Sequence, residues 1–121
     1  MKRLRILLVE DQAEVGELLS DFLAEPGHAV TVVRTLKEAV IELEREWDVV
    51  ISDLRLPDGT GLDVGPRARA RSPIATLIAL TGSGAAGDIT ASRRAGFDHH
   101  LVKPVSLNRL RAVLNAATPP A

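Results

Sequence analysis

Five side chains that could take part in chemistry follow apolar runs of the sequence. They are Glu10, Asp11, Asp53, Thr81 and Lys103. Each lies at or just beyond the end of a run typical of a buried strand, and only the second such run ends without an obviously reactive residue. Strand ends in a parallel sheet gather along one edge, where ligands bind in the crevice outside them. The spacing therefore predicts that three carboxylates, a hydroxyl and an ammonium converge on one cleft.

Three carboxylates in one cleft predict a cation site, because they repel one another and cannot all stay ionised without compensating positive charge. An all-oxygen site with room for water suits Mg²⁺, which commonly bridges to phosphate oxygens. Aspartate can also attack phosphorus and form an aspartyl phosphate. These properties predict phosphoryl transfer to Asp53. Mg²⁺ and Lys103 would offset the charge of the phosphoryl oxygens, and the Thr81 hydroxyl would donate a hydrogen bond to one of them.

Each of these residues, taken singly, also has an ordinary structural interpretation. Asp11 could be only the N-cap of the first helix. Thr81 could be a β-branched strand residue, and Lys103 a surface charge. The position of all five residues at the carboxyl ends of strands favours a functional site.

The strands that position these residues are predicted from consecutive apolar residues, which indicate burial on both faces. The runs cover residues 3–9, 29–33, 49–51, 74–80 and 97–102. Helical segments alternate with them. This alternation predicts an α/β fold, with a parallel sheet, helices on both sides and right-handed crossovers.

The helices are predicted from apolar residues at helical spacing. The first ends at Pro26-Gly27, and the last follows Ser106, a plausible N-cap, and ends before Thr118-Pro119-Pro120. The spaced residues or segments are Val15, Leu18, Leu19, Phe22 and Leu23 in the first helix; Leu36, Val40, Leu43 and Trp47 in the second; residues 62–71 in the third; Ile89 in the fourth; and Leu107, Leu110, Leu114 and Ala117 in the fifth.

Composition is that of one ordinary globular domain, with 121 residues, 45% of them apolar and 26% charged. The absence of cysteine excludes a disulfide framework, a thiolate zinc site and a cysteine nucleophile. No apolar run approaches the ~20 residues of a bilayer span, and the amino terminus does not resemble a signal peptide. We therefore expect a soluble, cytoplasmic domain.

Net charge is -1, which argues against binding to a nucleic acid duplex. The charge is uneven along the chain, because residues 1–63 carry twice as many acidic as basic side chains and the remainder is basic. Part of the acidic excess is explained by the predicted cation site. The basic residues of the last two helices, which are Arg93, Arg94, Arg109 and Arg111, could form a partner-binding surface or simply solvated helix faces.

Four stretches of the sequence resemble the receiver domains of two-component response regulators. They are ILLVED (6–11), ISDLRLPDGTGL (51–62), LTG (80–82) and AGFDHHLVKP (95–104). Within the last stretch, residues 97–104 are especially similar to receivers of hybrid histidine kinases. The resemblance covers essentially the whole chain and implies a single receiver domain over residues 1–121, with a core of about 3–117. It also implies a flavodoxin-like fold, a doubly wound sheet of five parallel strands in the order 2-1-3-4-5.

The resemblance implies how the cleft works. Asp53 would accept a phosphoryl group from a histidine kinase or a histidine phosphotransfer protein. Asp11 and Asp53 would bind Mg²⁺ directly, together with the backbone carbonyl of Arg55. Glu10 would bind the ion through a water molecule. The protein would catalyse only its own phosphorylation and dephosphorylation.

The resemblance further implies a switch. Lys103 would pair with the phosphoryl group, and the Lys103–Pro104 peptide bond would be cis. Thr81 would move toward the phosphoryl group and change the surface formed by the fourth and fifth strands and helices. That surface would be read by a downstream protein or a covalently linked module, without direct contact with nucleic acid or membrane.

His100 stands where the family commonly carries Tyr or Phe, so it would be either a flat rotating switch or an exposed polar residue. Ser83, like Arg55, would influence the access of water to the phosphoryl group.

Three other functions compete with this interpretation. A small Mg²⁺-dependent phosphatase, acting on an exogenous substrate, usually has an acid/base carboxylate two residues after its nucleophile, where this chain has Arg55. A flavin or nucleotide carrier would need a glycine-rich phosphate loop after the first strand. A binding scaffold with an inactive pocket is disfavoured, because all five pocket residues are present. A zinc site at His99-His100 is also disfavoured, because successive strand residues point to opposite faces.

Overall fold

The computed structural model describes residues 3–82 and 86–117. In chain order the elements are β1 (Arg5–Val9), α1 (Ala13–Ala24), β2 (Ala29–Val33), α2 (Leu36–Glu42), β3 (Val49–Asp53), β4 (Arg55–Leu56), β5 (Gly59–Thr60), a 3-10 helix (Gly61–Asp63), α3 (Val64–Arg71), β6 (Thr76–Thr81), α4 (Ala86–Arg94), β7 (His99–Val102) and α5 (Leu107–Ala117). Five strands form one parallel sheet in the order β2-β1-β3-β6-β7. The predicted order 2-1-3-4-5 is confirmed, since β6 and β7 are the fourth and fifth strands of this sheet.

The sheet separates two apolar cores, because successive residues of a strand point to opposite faces. Leu7 of β1 lies in the core that also contains Val64 of α3. Its neighbour Ile6 lies in the other core, with Leu19 of α1 and Leu110 of α5. The central strands β1 and β3 are covered on both sides, which explains their continuous apolar runs.

The predicted continuation of the second helix to Trp47 is wrong, since α2 ends at Glu42. Trp47 is nevertheless buried, and its indole N–H donates to the Glu42 carbonyl at 2.8 Å. Its backbone N–H donates to Ser72 Oγ at 2.8 Å. The Glu42 carbonyl at the end of α2 thus accepts hydrogen bonds from both the indole and the Arg45 N–H (3.1 Å).

Two apolar residues predicted to be covered are exposed. Leu18 of α1 is 59% exposed beside the buried Leu19, and Ile74 is 98% exposed. Ile74 lies in a turn closed by a hydrogen bond from the Ala75 N–H to the Ser72 carbonyl (3.0 Å), so β6 begins later than predicted.

The remaining boundaries differ little from the predicted ones. β4 and β5 form a short antiparallel hairpin that the sequence did not predict. Ser106 is confirmed as an N-cap, since its Oγ accepts a hydrogen bond from the Arg109 N–H (3.3 Å). Predictions that concern Ser83 and residues 118–120 lie outside the described residues. Within residues 3–82 and 86–117, no helix has both the length and the apolar character needed to span a membrane.

Candidate functional site

The carboxyl ends of four sheet strands bring the predicted site residues to one edge. Glu10 and Asp11 follow β1. Asp53 is the last residue of β3, and Thr81 is the last residue of β6. Lys103 follows β7, and its backbone N–H donates to the Thr81 carbonyl at 2.6 Å. Because β3 lies between β1 and β6, Asp53 occupies the centre of the group.

Lys103 joins the two most buried carboxylates of the site. Its Nζ donates to Asp53 Oδ2 at 2.8 Å and to Glu10 Oε1 at 2.9 Å. Glu10 is 0% exposed and Asp53 is 5% exposed, so the ammonium supplies positive charge to groups that are largely removed from water. The predicted cis peptide bond between Lys103 and Pro104 is confirmed.

Glu10, Asp11 and Asp53 form a group that could hold a metal ion. Each offers a carboxylate oxygen, and these oxygens lie within 4.8 Å of one another. Three carboxylates face the single ammonium of Lys103, and hard oxygen ligands of this kind suit Mg²⁺. The residues present therefore fit a divalent cation. In the part of the chain that the structure describes, His99 and His100 belong to no comparable group of three metal-ligating side chains.

A cleft of about 210 Å³ opens beside these carboxylates. Asp11, Asp53, Thr81 and Lys103 line it, and the exposed Arg55 forms part of its wall. The cleft therefore leaves room for a small anionic group in contact with a carboxylate, a hydroxyl and an ammonium.

The electrostatics of the site raise the pKa of Asp53. Burial and the neighbouring Glu10 raise the pKa of Asp53 to about 7, although contact with Lys103 opposes this rise. Burial acts to raise the pKa of Glu10 as well. Hydrogen bonds of the Glu10 carboxylate with Asp53, Lys103 and the Gln12 N–H (3.1 Å to Oε2) outweigh this effect, so the pKa of Glu10 is lowered. Burial disfavours charged Lys103 as well, but its two carboxylate partners raise its pKa.

The raised pKa of Asp53 predicts how stability depends on pH when Mg²⁺ is absent. The carboxyl titrates near 3.8 in an ordinary environment and near 7 in the folded protein, so the folded state binds the extra proton between these values. The free energy of unfolding should therefore fall as pH rises from 5 to 8, by on the order of a few kcal/mol. Urea unfolding in the presence of a chelator measures this slope. Asp53→Asn cannot titrate at this position and should lack the slope, so an equal slope in that variant would contradict the prediction.

The backbone that follows Asp53 folds back sharply and packs against it. The Gly61 N–H donates to the Leu54 carbonyl at 2.9 Å. A Cβ atom on Gly61 would lie 1.8 Å from the Asp53 carbonyl oxygen, so only glycine fits here. This contact holds the end of β3 against the start of the 3-10 helix.

Sequence reasoning missed two residues that support the loops of the site. The Asp58 carboxylate accepts hydrogen bonds from the backbone N–H groups of Leu36 (2.7 Å) and Lys37 (2.9 Å), which ties the loop after β3 to the first turn of α2. Arg34 donates from Nε (3.3 Å) and Nη2 (3.0 Å) to the carbonyl of Asp11. Arg34 directly follows β2, so the same argument about strand ends, applied to basic side chains, would have found it.

His100, which was predicted to be either a switch or an exposed polar residue, packs against α4. Its Nδ1 lies 3.1 Å from the Oγ of the buried Ser92, which itself donates to the Ile89 carbonyl (2.9 Å). Because the hydroxyl has one hydrogen, both contacts are satisfied when His100 Nδ1 is the donor. His100 is half-buried, which does not fit the alternative of an exposed polar residue.

The parallel sheet and the acidic cleft with its lysine define a receiver domain. The sequence profile of the response regulator receiver domain matches residues 6–115, and the chain belongs to this family. This membership confirms the resemblance found in the four sequence stretches.

Among curated relatives, the response regulator protein PilR of Pseudomonas aeruginosa is 35% identical over 118 residues, which are 97% of this chain and 26% of PilR. The transcriptional regulatory protein TcrA of Mycobacterium tuberculosis is 36% identical over 113 residues, which are 93% of this chain and 45% of TcrA. The chain thus spans less than half the length of either relative.

Among solved structures, the receiver domain of the sensor histidine kinase PA1611 from Pseudomonas aeruginosa is 30% identical, with a TM-score of 0.83. The match covers 95% of this chain and 97% of that domain, which has a magnesium ion coordinated in its active-site cleft. A CheY-like receiver domain from Methanospirillum hungatei is 26% identical, with a TM-score of 0.87, over 95% of this chain and 93% of that one.

Proposed function

We propose that this protein is the phosphoacceptor module of a two-component phosphorelay and that Asp53 takes the phosphoryl group from a phosphohistidine donor. The contact between Lys103 Nζ and Asp53 Oδ2 supports the proposal most directly, because it places a cation beside the acceptor. In the transfer, a carboxylate oxygen of Asp53 forms a bond to phosphorus while the bond from phosphorus to the histidine nitrogen breaks. The electron pair of that bond leaves with the imidazole, and the product is an acyl phosphate on Asp53.

We propose Mg²⁺ as the cofactor of this transfer. Asp11, Asp53 and the backbone carbonyl of Arg55 would hold it directly, and Glu10 would hold it through a water molecule. When bound, Mg²⁺ supplies positive charge that offsets the phosphoryl oxygens. The oxygen-only cluster of Glu10, Asp11 and Asp53 supports this choice, as does the magnesium ion of the PA1611 receiver domain.

The other cleft residues act on the phosphoryl group itself. Lys103 transfers its contact from Asp53 to a phosphoryl oxygen and keeps that charge neutralised. The Thr81 hydroxyl donates a hydrogen bond to another phosphoryl oxygen. The phosphoryl group adds a charge of roughly -1.5 to -2, and its hydrogen bond with Thr81 moves the end of β6. His100 on β7 then responds through its contact with Ser92 of α4.

The partners follow from this chemistry. A histidine kinase or a histidine phosphotransfer protein donates the phosphoryl group, in the cytoplasm. A downstream protein or a covalently linked module reads the surface formed by β6, α4, β7 and α5. The protein catalyses only its own phosphorylation and dephosphorylation. Neither a nucleic acid nor a membrane takes part directly, since a net charge of -1 offers little attraction to a phosphate backbone.

Intact-protein mass spectrometry after incubation with acetyl phosphate tests this function. We expect one phosphoryl increment per chain in the presence of Mg²⁺ and none in the presence of a chelator. Hydroxylamine should remove the increment, because it cleaves acyl phosphates and leaves phosphate esters intact.

Two results would contradict the proposal. One is the absence of any increment in protein that circular dichroism shows to be folded. The other is release of inorganic phosphate from an exogenous phosphate ester in large molar excess over the protein, which would indicate the Mg²⁺-dependent phosphatase instead.

A further inference from the structure

We infer that Arg34 is a positioning residue of the cation site, which holds the backbone of Asp11 where its carboxylate can bind Mg²⁺. The inference rests on the proposed function, because it concerns the same site. This inference gives a role to the end of β2, where the sequence predicted no residue of the cleft.

The guanidinium group of Arg34 contacts the loop that carries Glu10 and Asp11. Nε lies 3.3 Å and Nη2 lies 3.0 Å from the Asp11 carbonyl oxygen. Two donors of one planar group that converge on a single oxygen restrict its direction as well as its distance. Arg34 therefore restrains the carbonyl side of the peptide that joins Asp11 to Gln12.

From its own helix this loop receives one backbone hydrogen bond, donated by the Gly16 N–H to the Gln12 carbonyl at 2.9 Å. Gln12 is the N-cap residue of α1, and its side chain makes no capping hydrogen bond. On the other side, the backbone N–H of Gln12 donates to Glu10 Oε2 at 3.1 Å. Glu10 and Arg34 thus hold the loop from opposite sides, one through the amide of Gln12 and the other through the carbonyl of Asp11.

Arg34 is itself anchored at the start of α2. Its backbone N–H donates to Glu38 Oε1 at 3.1 Å, and the N-cap residue Thr35 accepts a hydrogen bond from the Glu38 N–H at 3.1 Å. This capping arrangement keeps the backbone of Arg34 in place, so that its exposed side chain reaches Asp11 from a fixed point. Asp58 binds the same helix turn, and the start of α2 is therefore in contact with the loops after both β1 and β3.

Removal of the Arg34 side chain has two opposite effects on Mg²⁺ affinity, one through its charge and one through its hydrogen bonds. A cation in contact with the loop that carries Glu10 and Asp11 competes electrostatically with Mg²⁺, so loss of the charge alone would tighten Mg²⁺ binding. Loss of the hydrogen bonds would weaken Mg²⁺ binding, because Asp11 would no longer be held. If positioning is the role of Arg34, the variants should bind Mg²⁺ more weakly despite the lost positive charge.

Isothermal titration calorimetry with Mg²⁺ on the whole chain decides between these outcomes. We expect the dissociation constant of Arg34→Ala to rise about tenfold, the lower end of the range for groups that orient a metal ligand from outside the ligand shell. Arg34→Gln removes the charge and both guanidinium donors and should behave similarly. Arg34→Lys keeps the charge and one donor and should lie between these variants and the wild type. Arg45→Ala removes an exposed arginine at the other end of α2 and should leave the constant unchanged.

The acetyl phosphate reaction gives a second readout. In Arg34→Ala, the Mg²⁺ concentration for half-maximal phosphorylation should rise by the same factor, while the rate at saturating Mg²⁺ stays near that of the wild type. Unfolding by urea in a chelator should be little changed, which separates positioning from a general loss of structure.

Unchanged or tighter Mg²⁺ binding by Arg34→Ala, with normal binding by the wild type, would overturn the role of Arg34 and leave the proposed function intact. Failure of the wild-type protein to bind Mg²⁺ would overturn both.

Discussion

Asp53→Asn is expected to abolish phosphoryl uptake from acetyl phosphate in the presence of Mg²⁺. The neutral amide keeps the size of the side chain but lacks the carboxylate oxygen that attacks phosphorus. It also removes one of the three carboxylates of the proposed cation site. Intact-protein mass spectrometry should show unmodified protein under conditions in which the wild type acquires one increment.

The same variant should remain folded and become more stable than the wild type above pH 7 when Mg²⁺ is absent. Asp53 is 5% exposed beside the buried Glu10, so removal of its charge relieves repulsion between two carboxylates. Asp21→Asn, at an exposed position of α1, is the matched control and should accept the phosphoryl group as the wild type does. An increment that persists in Asp53→Asn would show that another residue is the acceptor.

Gly61→Ala is expected to lower the free energy of unfolding by about 3 kcal/mol or more. The added Cβ would lie 1.8 Å from the Asp53 carbonyl oxygen and 2.8 Å from its carbon, and neither backbone atom can rotate away as a flexible side chain could. The midpoint of thermal unfolding should fall by roughly 10 °C. Because the collision is with the backbone of Asp53, phosphoryl uptake at a temperature where the variant is folded should also be slower than in the wild type.

Gly87→Ala is the control for this substitution. Gly87 lies in α4, and a Cβ atom at this position would meet nothing within 4 Å. Alanine favours helix over glycine, so the variant should be as stable as the wild type or more stable by up to about 1 kcal/mol. Equal unfolding midpoints for Gly61→Ala and the wild type would show that the loop relaxes at little cost and would contradict the prediction.

The location of the cleft could be predicted from the sequence because two simple regularities determine it. Consecutive apolar residues, such as Leu7 and Leu8, indicate a strand covered on both faces, and alternation with helices requires the strands to run parallel. Parallel strands end at one edge, so the residues after each run had to meet there. Asp53 and Lys103 are 50 positions apart in the chain, yet both regularities place them at that edge, and they are in contact.

Predictions that depended on one helix or one turn were less successful, because helical spacing does not show where a helix stops. Trp47 continues the spacing of α2 but lies beyond its end, since the indole N–H binds the Glu42 carbonyl and the backbone binds Ser72 of another element. Leu18 belongs to the apolar pattern of α1, but Leu19 covers the core and Leu18 faces solvent.

The sequence by itself determined the class of fold, the edge that holds the site and the types of side chain gathered there. Only the tertiary structure decided that the pKa of Asp53 is raised, because the shift depends on burial and on contacts with Glu10 and Lys103. It also decided that Arg34, 23 positions from Asp11 in the chain, donates hydrogen bonds to the Asp11 carbonyl. The physical reason is that residue order specifies which strand ends share an edge, whereas hydrogen bonds and pKa values depend on distances of a few ångströms between atoms that only the packed chain brings together.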